Sequence, residues 1–158
     1  MYDVILPFPR MNVAVKTRDD RVVEIRYLPP SSKIVSPANA LAARAAEQLE
    51  RYRQDPDARF DLPVLVDGTA LQRGVWDAMC AIPRGKTRTY GDVARELGVD
   101  ARDVGQACGD NRLPIVIPCH RVVAADGIGG FGHASGGYLL EAKRWLLMHE
   151  APAFELKP

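Results

Sequence analysis

The sequence predicts an α/β chain in two parts. One is a small N-terminal strand-and-helix domain over 1–67; the other, over 68–158, is mainly helical, with a helix-turn-helix and a short active-site strand. Three observations carry this reading. Two partly alternating runs flank a polar turn near the start, as in a hairpin. A polar, proline-containing stretch around Pro56 leads to Asp67-Gly68, where the chain changes character. Beyond it, apolar residues recur at helical rather than strand spacing.

Met11–Lys16 and Arg21–Leu28 are the two hairpin strands, with Thr17-Arg18-Asp19-Asp20 as their turn. Pro29-Pro30-Ser31-Ser32 ends that unit. A helix follows from about Pro37 to Tyr52, with Leu41, Ala45, Leu49 and Tyr52 on one stripe. In the second part, Thr69 is a candidate N-cap for a helix carrying Leu71, Val75, Met79 and Ile82, stopped by Pro83. Thr89-Tyr90-Gly91-Asp92 has the form of a capping box and opens a short helix that Gly98 closes. A second short helix runs from near Ala101 to near Gly109, and the tight glycine turn between the pair makes a helix-turn-helix candidate. Leu113–Pro118 is apolar, β-branched and bounded by prolines, which predicts a short buried strand delivering Cys119-His120-Arg121 at its end.

Composition narrows the class without naming a function. With 47% hydrophobic and 26% charged residues the chain reads as a globular domain. No apolar run approaches the roughly 18 residues of a membrane span, and the first residues lack the pattern of a secretory signal. Cys80, Cys108 and Cys119 contain no C-x-x-C pair and no zinc spacing, which predicts a reduced, cytoplasmic protein without disulfides. A net charge of +1 neither favours nor excludes nucleic acid.

The Cys119-His120 pair is the chemical feature. A free thiol titrates near 8.5 and becomes a nucleophile at neutral pH when a base or positive field assists it. Taken alone, such a pair is more often a small core thiol beside a satisfied imidazole. Adjacent residues on an extended strand also point to opposite faces, so His120 reaches Cys119 only through a turn or a bridging water. The imidazole needs a carboxylate to orient it, which local spacing does not identify.

The run Ile117-Pro118-Cys119-His120-Arg121-Val122-Val123 resembles the active-site segment of the O6-alkylguanine-DNA alkyltransferases, suicide DNA-repair proteins. The resemblance extends from Val75-Trp76 and Ile82–Thr87 through Thr89–Ala94 and Arg102–Gly105. It continues to Asn111, Gly136-Gly137 and Lys143–Glu150, while residues 1–67 match only in general layout. It implies that Cys119 accepts the alkyl group, that His120 takes its proton through a water, and that Glu150 orients His120. Asn111 would brace the turn, and Tyr90 would serve the departing guanine at N3. Arg102 would enter the duplex where the nucleotide has left, with Ala101, Gly105 and Arg121 also at the DNA. Val122, Phe131, Ser135 and Gly136 would line the substrate pocket. Asp100 and Asp103 flank Arg102, and acid near phosphates predicts weaker duplex affinity.

The implied function is direct-reversal repair: single-turnover transfer from O6-alkylguanine in double-stranded DNA, with O4-alkylthymine a second candidate substrate, after base flipping. A monomer with no metal and no cofactor is expected. Two other readings remain open at this stage. One is an alkyltransferase-like sensor that binds lesions without transfer; its members lack the acceptor cysteine. The other is a cysteine hydrolase built on Cys119 and His120.

Overall fold

The computed structural model describes residues 1–130 and 136–152. Its contacts divide into two compact units, Met1–Val66 and Asp67–Pro158.

In the first unit, β1 (Val4–Pro7), β2 (Asn12–Arg18) and β3 (Arg21–Leu28) form an antiparallel sheet in the order β1-β2-β3. Arg18 pairs with Arg21, and both intervening residues have positive φ: Asp19 at 52° and Asp20 at 60°. That is the primed two-residue turn whose twist suits a hairpin, and aspartate tolerates it better than most residues. Strand β1 is an addition to the two strands expected from the sequence. At four residues it is too short for a periodicity, and Asn12, which follows it, is buried through a bond from its Nδ2 to Ser32 O at 2.7 Å. Helix α1 (Ala40–Gln54) is capped by Asn39, whose side chain accepts from Ala42 N, and covers the sheet with Ala42, Ala45, Leu49 and Tyr52. Leu41 lies at the edge of that stripe rather than in it. The stretch expected to link two parts is tied to this unit. Gln48 exchanges two bonds with the backbone of Asp61, and Val22 bonds to Pro63 O and Leu65 N.

The second unit begins with α2 (Ala70–Cys80), whose capping box joins Thr69 and Gln72. Val75, Trp76, Ala78 and Met79 form its buried face, while Leu71 is 40% exposed. Trp76 donates from Nε1 to Ala107 O at 2.9 Å, fixing α2 to α4 (Ala101–Gly109). Between them lies α3 (Tyr90–Leu97), opened by the Thr89–Asp92 capping box and ended by Gly98 at φ 68°. The Val99 N–H reaches back to Ala94 O, the bond pattern of a left-handed helix end. The helix-turn-helix therefore follows from local chemistry alone. Two short parallel strands, β4 (Arg88–Thr89) and β5 (Val122–Val123), lie beside it, and α5 (Gly137–Glu150) completes the unit. No helix of the described residues is long and apolar enough to cross a membrane.

The run Leu113–Pro118 is not a strand. Ile117 N bonds to Leu113 O at 2.8 Å, closing a tight turn in which Ile115 sits at φ 74°. Its prolines cannot donate to a ladder, so β-branched composition is overridden by the absence of a partner. The strand β5 comes immediately after the Cys119-His120-Arg121 segment instead of before it.

Candidate active site

Cys119–Arg121 form a single 3-10 turn, with Arg121 N bonded to Pro118 O and Cys119 N to Ile117 O. Successive side chains in such a turn diverge by about 120° rather than 180°. This removes the objection that a strand would send Cys119 and His120 to opposite faces.

Asn111 holds the segment from below. Its side-chain oxygen accepts from Leu113 N and its amide donates to Ile117 O, both at 2.9 Å. It thereby ties both ends of the turn that keeps Ile115 at positive φ, a conformation that costs a β-branched residue about 1–3 kcal/mol. The same amide hydrogen-bonds Cys119 and favours its thiolate. Burial is the larger influence and pushes the thiol up, with Asn111 and then the Lys143 charge acting against it.

His120 is fully buried, and Nε2 lies 2.9 Å from Glu150 Oε1. The approach is short but off the line of a well-directed bond, and Nδ1 has no protein partner. Burial pulls the imidazole down, opposed by the Glu150 carboxylate beside it. Thiol and imidazole are thus both driven towards their neutral forms, leaving an uncharged base beside an uncharged acid.

Glu150 closes α5, and its side chain is 2% exposed. Arg121 grips the carboxylate with both prongs, Nε to Oε1 and Nη2 to Oε2 at 3.0 Å, and gives Nη1 to Ile82 O at 2.7 Å. The sequence reading put Arg121 at the DNA. At 9% exposure, with its guanidinium committed to Glu150 and Ile82, it instead joins the end of α5 to the end of α2. Gly85, at φ 81°, passes so close to Glu150 that an added Cβ would stand 3.2 Å from its carbonyl oxygen.

Tyr90, the first residue of α3, sends its hydroxyl to Gly130 O at 3.3 Å. Burial raises its pKa, and the thiols of Cys108 and Cys119 add to the shift. Gly129 sits against this ring: its φ is 74°, and a Cβ there would meet Tyr90 Cε2 at 3.0 Å.

Lys143 is the residue that sequence reasoning missed. It is fully buried, with Nζ donating to Val122 O at 2.8 Å and Gly130 O at 3.0 Å, and lies 3.5 Å from the Tyr90 hydroxyl. The signal was present: Lys143 stands three and four residues before Leu146 and Leu147, on the apolar stripe of α5. Cys108 is close enough to Cys119 for a thiolate there to disfavour its own ionisation. Val122 is buried, with its carbonyl held by Lys143, and Gly136 is exposed just before α5. Phe131 and Ser135 lie outside the described residues.

Arg102 and Ala101 are exposed at the start of α4, and Gly105 lies one turn further on. Nothing stands within 4 Å of a Cβ built on Gly105, so this side of the helix is open. Among the described residues no group of three His, Cys, Asp or Glu side chains is placed to hold a metal ion.

The chain is similar to known proteins over most of its length. Residues 70–152 match the family described as 6-O-methylguanine DNA methyltransferase, DNA binding domain. A methylated-DNA–protein-cysteine methyltransferase of Methanosarcina barkeri is 36% identical over 95% of this chain and 97% of its own length. The regulatory protein Ada of Salmonella typhimurium is 39% identical over 84% of this chain, which spans only 37% of that protein. Among solved structures, the Mycobacterium tuberculosis O6-methylguanine methyltransferase superposes with a TM-score of 0.77 at 29% identity, covering 98% of this chain and 96% of that one. The M. tuberculosis OGT in complex with DNA gives 0.74 at 32% identity, covering 94% of each chain.

Proposed function

We propose that this chain, which belongs to the 6-O-methylguanine DNA methyltransferase family, repairs DNA by moving the alkyl group of O6-alkylguanine onto Cys119, once per molecule. The observation that carries the reading is the buried line Cys119–His120–Glu150, with a neutral imidazole available as base. The unpartnered Nδ1 of His120 supports a water bridging it to the thiol. As that proton leaves, sulfur attacks the alkyl carbon and the bond from carbon to O6 breaks. The electron pair stays on the guanine, which Tyr90 protonates at N3. The product is a thioether with no hydrolysable linkage, so the molecule is consumed. O4-alkylthymine has the same leaving-group logic and is a second candidate substrate.

A thiol this deeply buried cannot reach an atom inside a stacked duplex, so the nucleotide must be turned out, at a cost of a few kcal/mol. The exposed Arg102 on α4 is the residue we assign to the vacated space, with Ala101 and Gly105 beside the backbone. Arg121 is not among the proposed DNA contacts, because its donors are occupied. Double-stranded DNA carrying the lesion is the proposed partner, and a monomer suffices for the chemistry.

The lesion-sensor alternative is disfavoured by the presence of Cys119, and the hydrolase alternative by the apolar, turn-bound setting of its thiol. Arg102→Ala separates extrusion from chemistry. It is expected to slow transfer from duplex O6-methylguanine by about 10- to 100-fold, while transfer from the free base O6-benzylguanine stays within about twofold. Equal losses on both substrates would refute the assignment. Cys119→Ala should bind the lesion duplex yet take up no label; label uptake by that variant would overturn Cys119 as acceptor.

A further inference from the structure

All three cysteines are free thiols, and two of them stand together at the acceptor. Cys119 is buried, while Cys108, in the last turn of α4, is half-buried. Asn111 draws their two segments together. Its backbone N–H donates to Cys108 O at 3.3 Å, and its side-chain amide donates to Ile117 O at 2.9 Å. That same Ile117 carbonyl accepts from Cys119 N at 2.8 Å. Both thiols also lie near Tyr90 and Lys143, since the charge of either one reaches the phenol and the ammonium. Two sulfurs thus belong to one cluster, and alkyl transfer uses only one of them.

We propose that Cys108 and Cys119 are a redox pair, joined by a disulfide when the acceptor is oxidised by a peroxide and released by a small thiol. The consequence rests on the transfer reading, because the bond masks the alkyl acceptor; the chemistry does not. Cys119 attacks a peroxide oxygen, the O–O bond breaks, and the sulfur becomes a sulfenic acid with water as the other product. Cys108 then attacks that sulfur, the S–S bond forms, and the displaced hydroxide leaves with the Cys108 proton as a second water. Each thiol has lost one hydrogen, and hydrogen peroxide has been reduced to water. A thiol of the glutathione class reverses the step through a mixed disulfide and is itself oxidised to its own disulfide.

The setting assigns the two roles. Cys119 has His120 next to it and the Asn111 amide favouring its thiolate, so it is the sulfur that meets the oxidant. Burial and the Cys119 charge both push the Cys108 thiol up, which leaves it the weaker nucleophile towards peroxide. Its capture of the sulfenic acid depends on proximity instead. Asn111 already ties the segments, so closing the short loop from 108 to 119 costs little chain entropy. Cys108 sits where α4 ends at Gly109, and a small shift of that last turn serves to bring the α-carbons within the roughly 7 Å a disulfide needs. The disulfide also leaves no charge in the pocket, whereas a sulfinate would place a permanent anion there and end the acceptor's use. For a protein that acts once, a recoverable oxidised state preserves its single opportunity. In a reducing compartment such a bond is transient.

The test treats the full chain with hydrogen peroxide, blocks remaining thiols with iodoacetamide under denaturing conditions, and maps unreduced tryptic peptides by mass. Cleavage after Arg102, Arg112 and Arg121 puts Cys108 and Cys119 on separate peptides, 103–112 and 113–121, with Cys80 on a third. The expected product is 103–112 joined to 113–121. Methyl uptake from O6-methylguanine duplex should be lost with it, and dithiothreitol should restore about 80% or more of that uptake. Before peroxide, Cys108→Ser should take up methyl within about twofold of the unaltered rate. After the same treatment it should recover less than about 20%, with Cys119 found as sulfinic or sulfonic acid. The proposal is overturned if Cys119 is over-oxidised beside a free Cys108, is joined to any other cysteine, or escapes oxidation. It is equally overturned if Cys108→Ser recovers as fully as the unaltered protein. The map of the unaltered protein decides even if the variant does not fold. If untreated protein takes up no methyl group from the duplex, the transfer reading has failed, while the peptide map still decides the bond.

Discussion

Truncating Glu150 to alanine is expected to lower the unfolding free energy by about 3–5 kcal/mol and to slow alkyl transfer by about 10²-fold. The size follows from what the carboxylate does at once. It is 2% exposed and holds Arg121 by two bonds of 3.0 Å. Its removal leaves a guanidinium at 9% exposure still donating to the Ile82 carbonyl but without its counter-charge, and an uncompensated buried charge is among the costliest single defects. Against a typical domain stability of about 5–15 kcal/mol this is a large share. The catalytic loss has a separate origin. Glu150 is what opposes the downward pull of burial on His120, while the Arg121 charge reinforces that pull. Without the carboxylate the imidazole becomes a weaker base and loses its orientation. Urea unfolding and single-turnover transfer read the two effects, and a stability change under about 1 kcal/mol would mean that the pair behaves as an exposed one.

Asn111→Ala is expected to cost about 2–3 kcal/mol and to slow transfer by about tenfold. Two backbone groups, Leu113 N and Ile117 O, lose their partners together. They flank Ile115 at φ 74°, so the bonds that hold an unfavourable conformation disappear with the side chain. The thiol of Cys119 loses the largest support for its charged form and moves further upward. Asn111→Asp provides the contrast. It keeps the acceptor for Leu113 N but loses the donor to Ile117 O, and it sets a negative charge against the thiolate. Its transfer rate should therefore fall below that of the alanine variant although its stability loss is smaller. The reverse order in rate would show that Asn111 acts only on the fold.

The parts of this molecule that could be read from the sequence are those whose causes are local. The Thr89–Asp92 box, the left-handed Gly98 and the stripe Val75–Met79 each declare an element within a few residues, and the helix-turn-helix followed from them. What could not be read depends on partners distant along the chain. Leu113–Pro118 has strand composition and, among the described residues, no neighbouring strand. Two-residue β5 exists only because Arg88–Thr89 lies beside it. Nothing local in the sequence ties Arg121 to the fold rather than to DNA, because its partner stands 29 positions away. Lys143 is an intermediate case: a lysine on an apolar stripe was visible, but its closeness to Tyr90, 53 positions earlier, was not. The resemblance placed Cys119, His120 and Glu150 together, and the fold supplies the 3-10 turn and the Arg121 clamp that hold them so.

The most direct test of alkyl transfer to Cys119 is the mass of the intact protein after incubation with increasing equivalents of O6-methylguanine duplex. The expected result is one methyl mass per molecule, rising linearly to one equivalent and then constant, located by peptide mapping on Cys119, with the duplex returned to unmodified guanine. A protein that binds the lesion duplex with unchanged mass, or that repairs many equivalents per molecule, would contradict it.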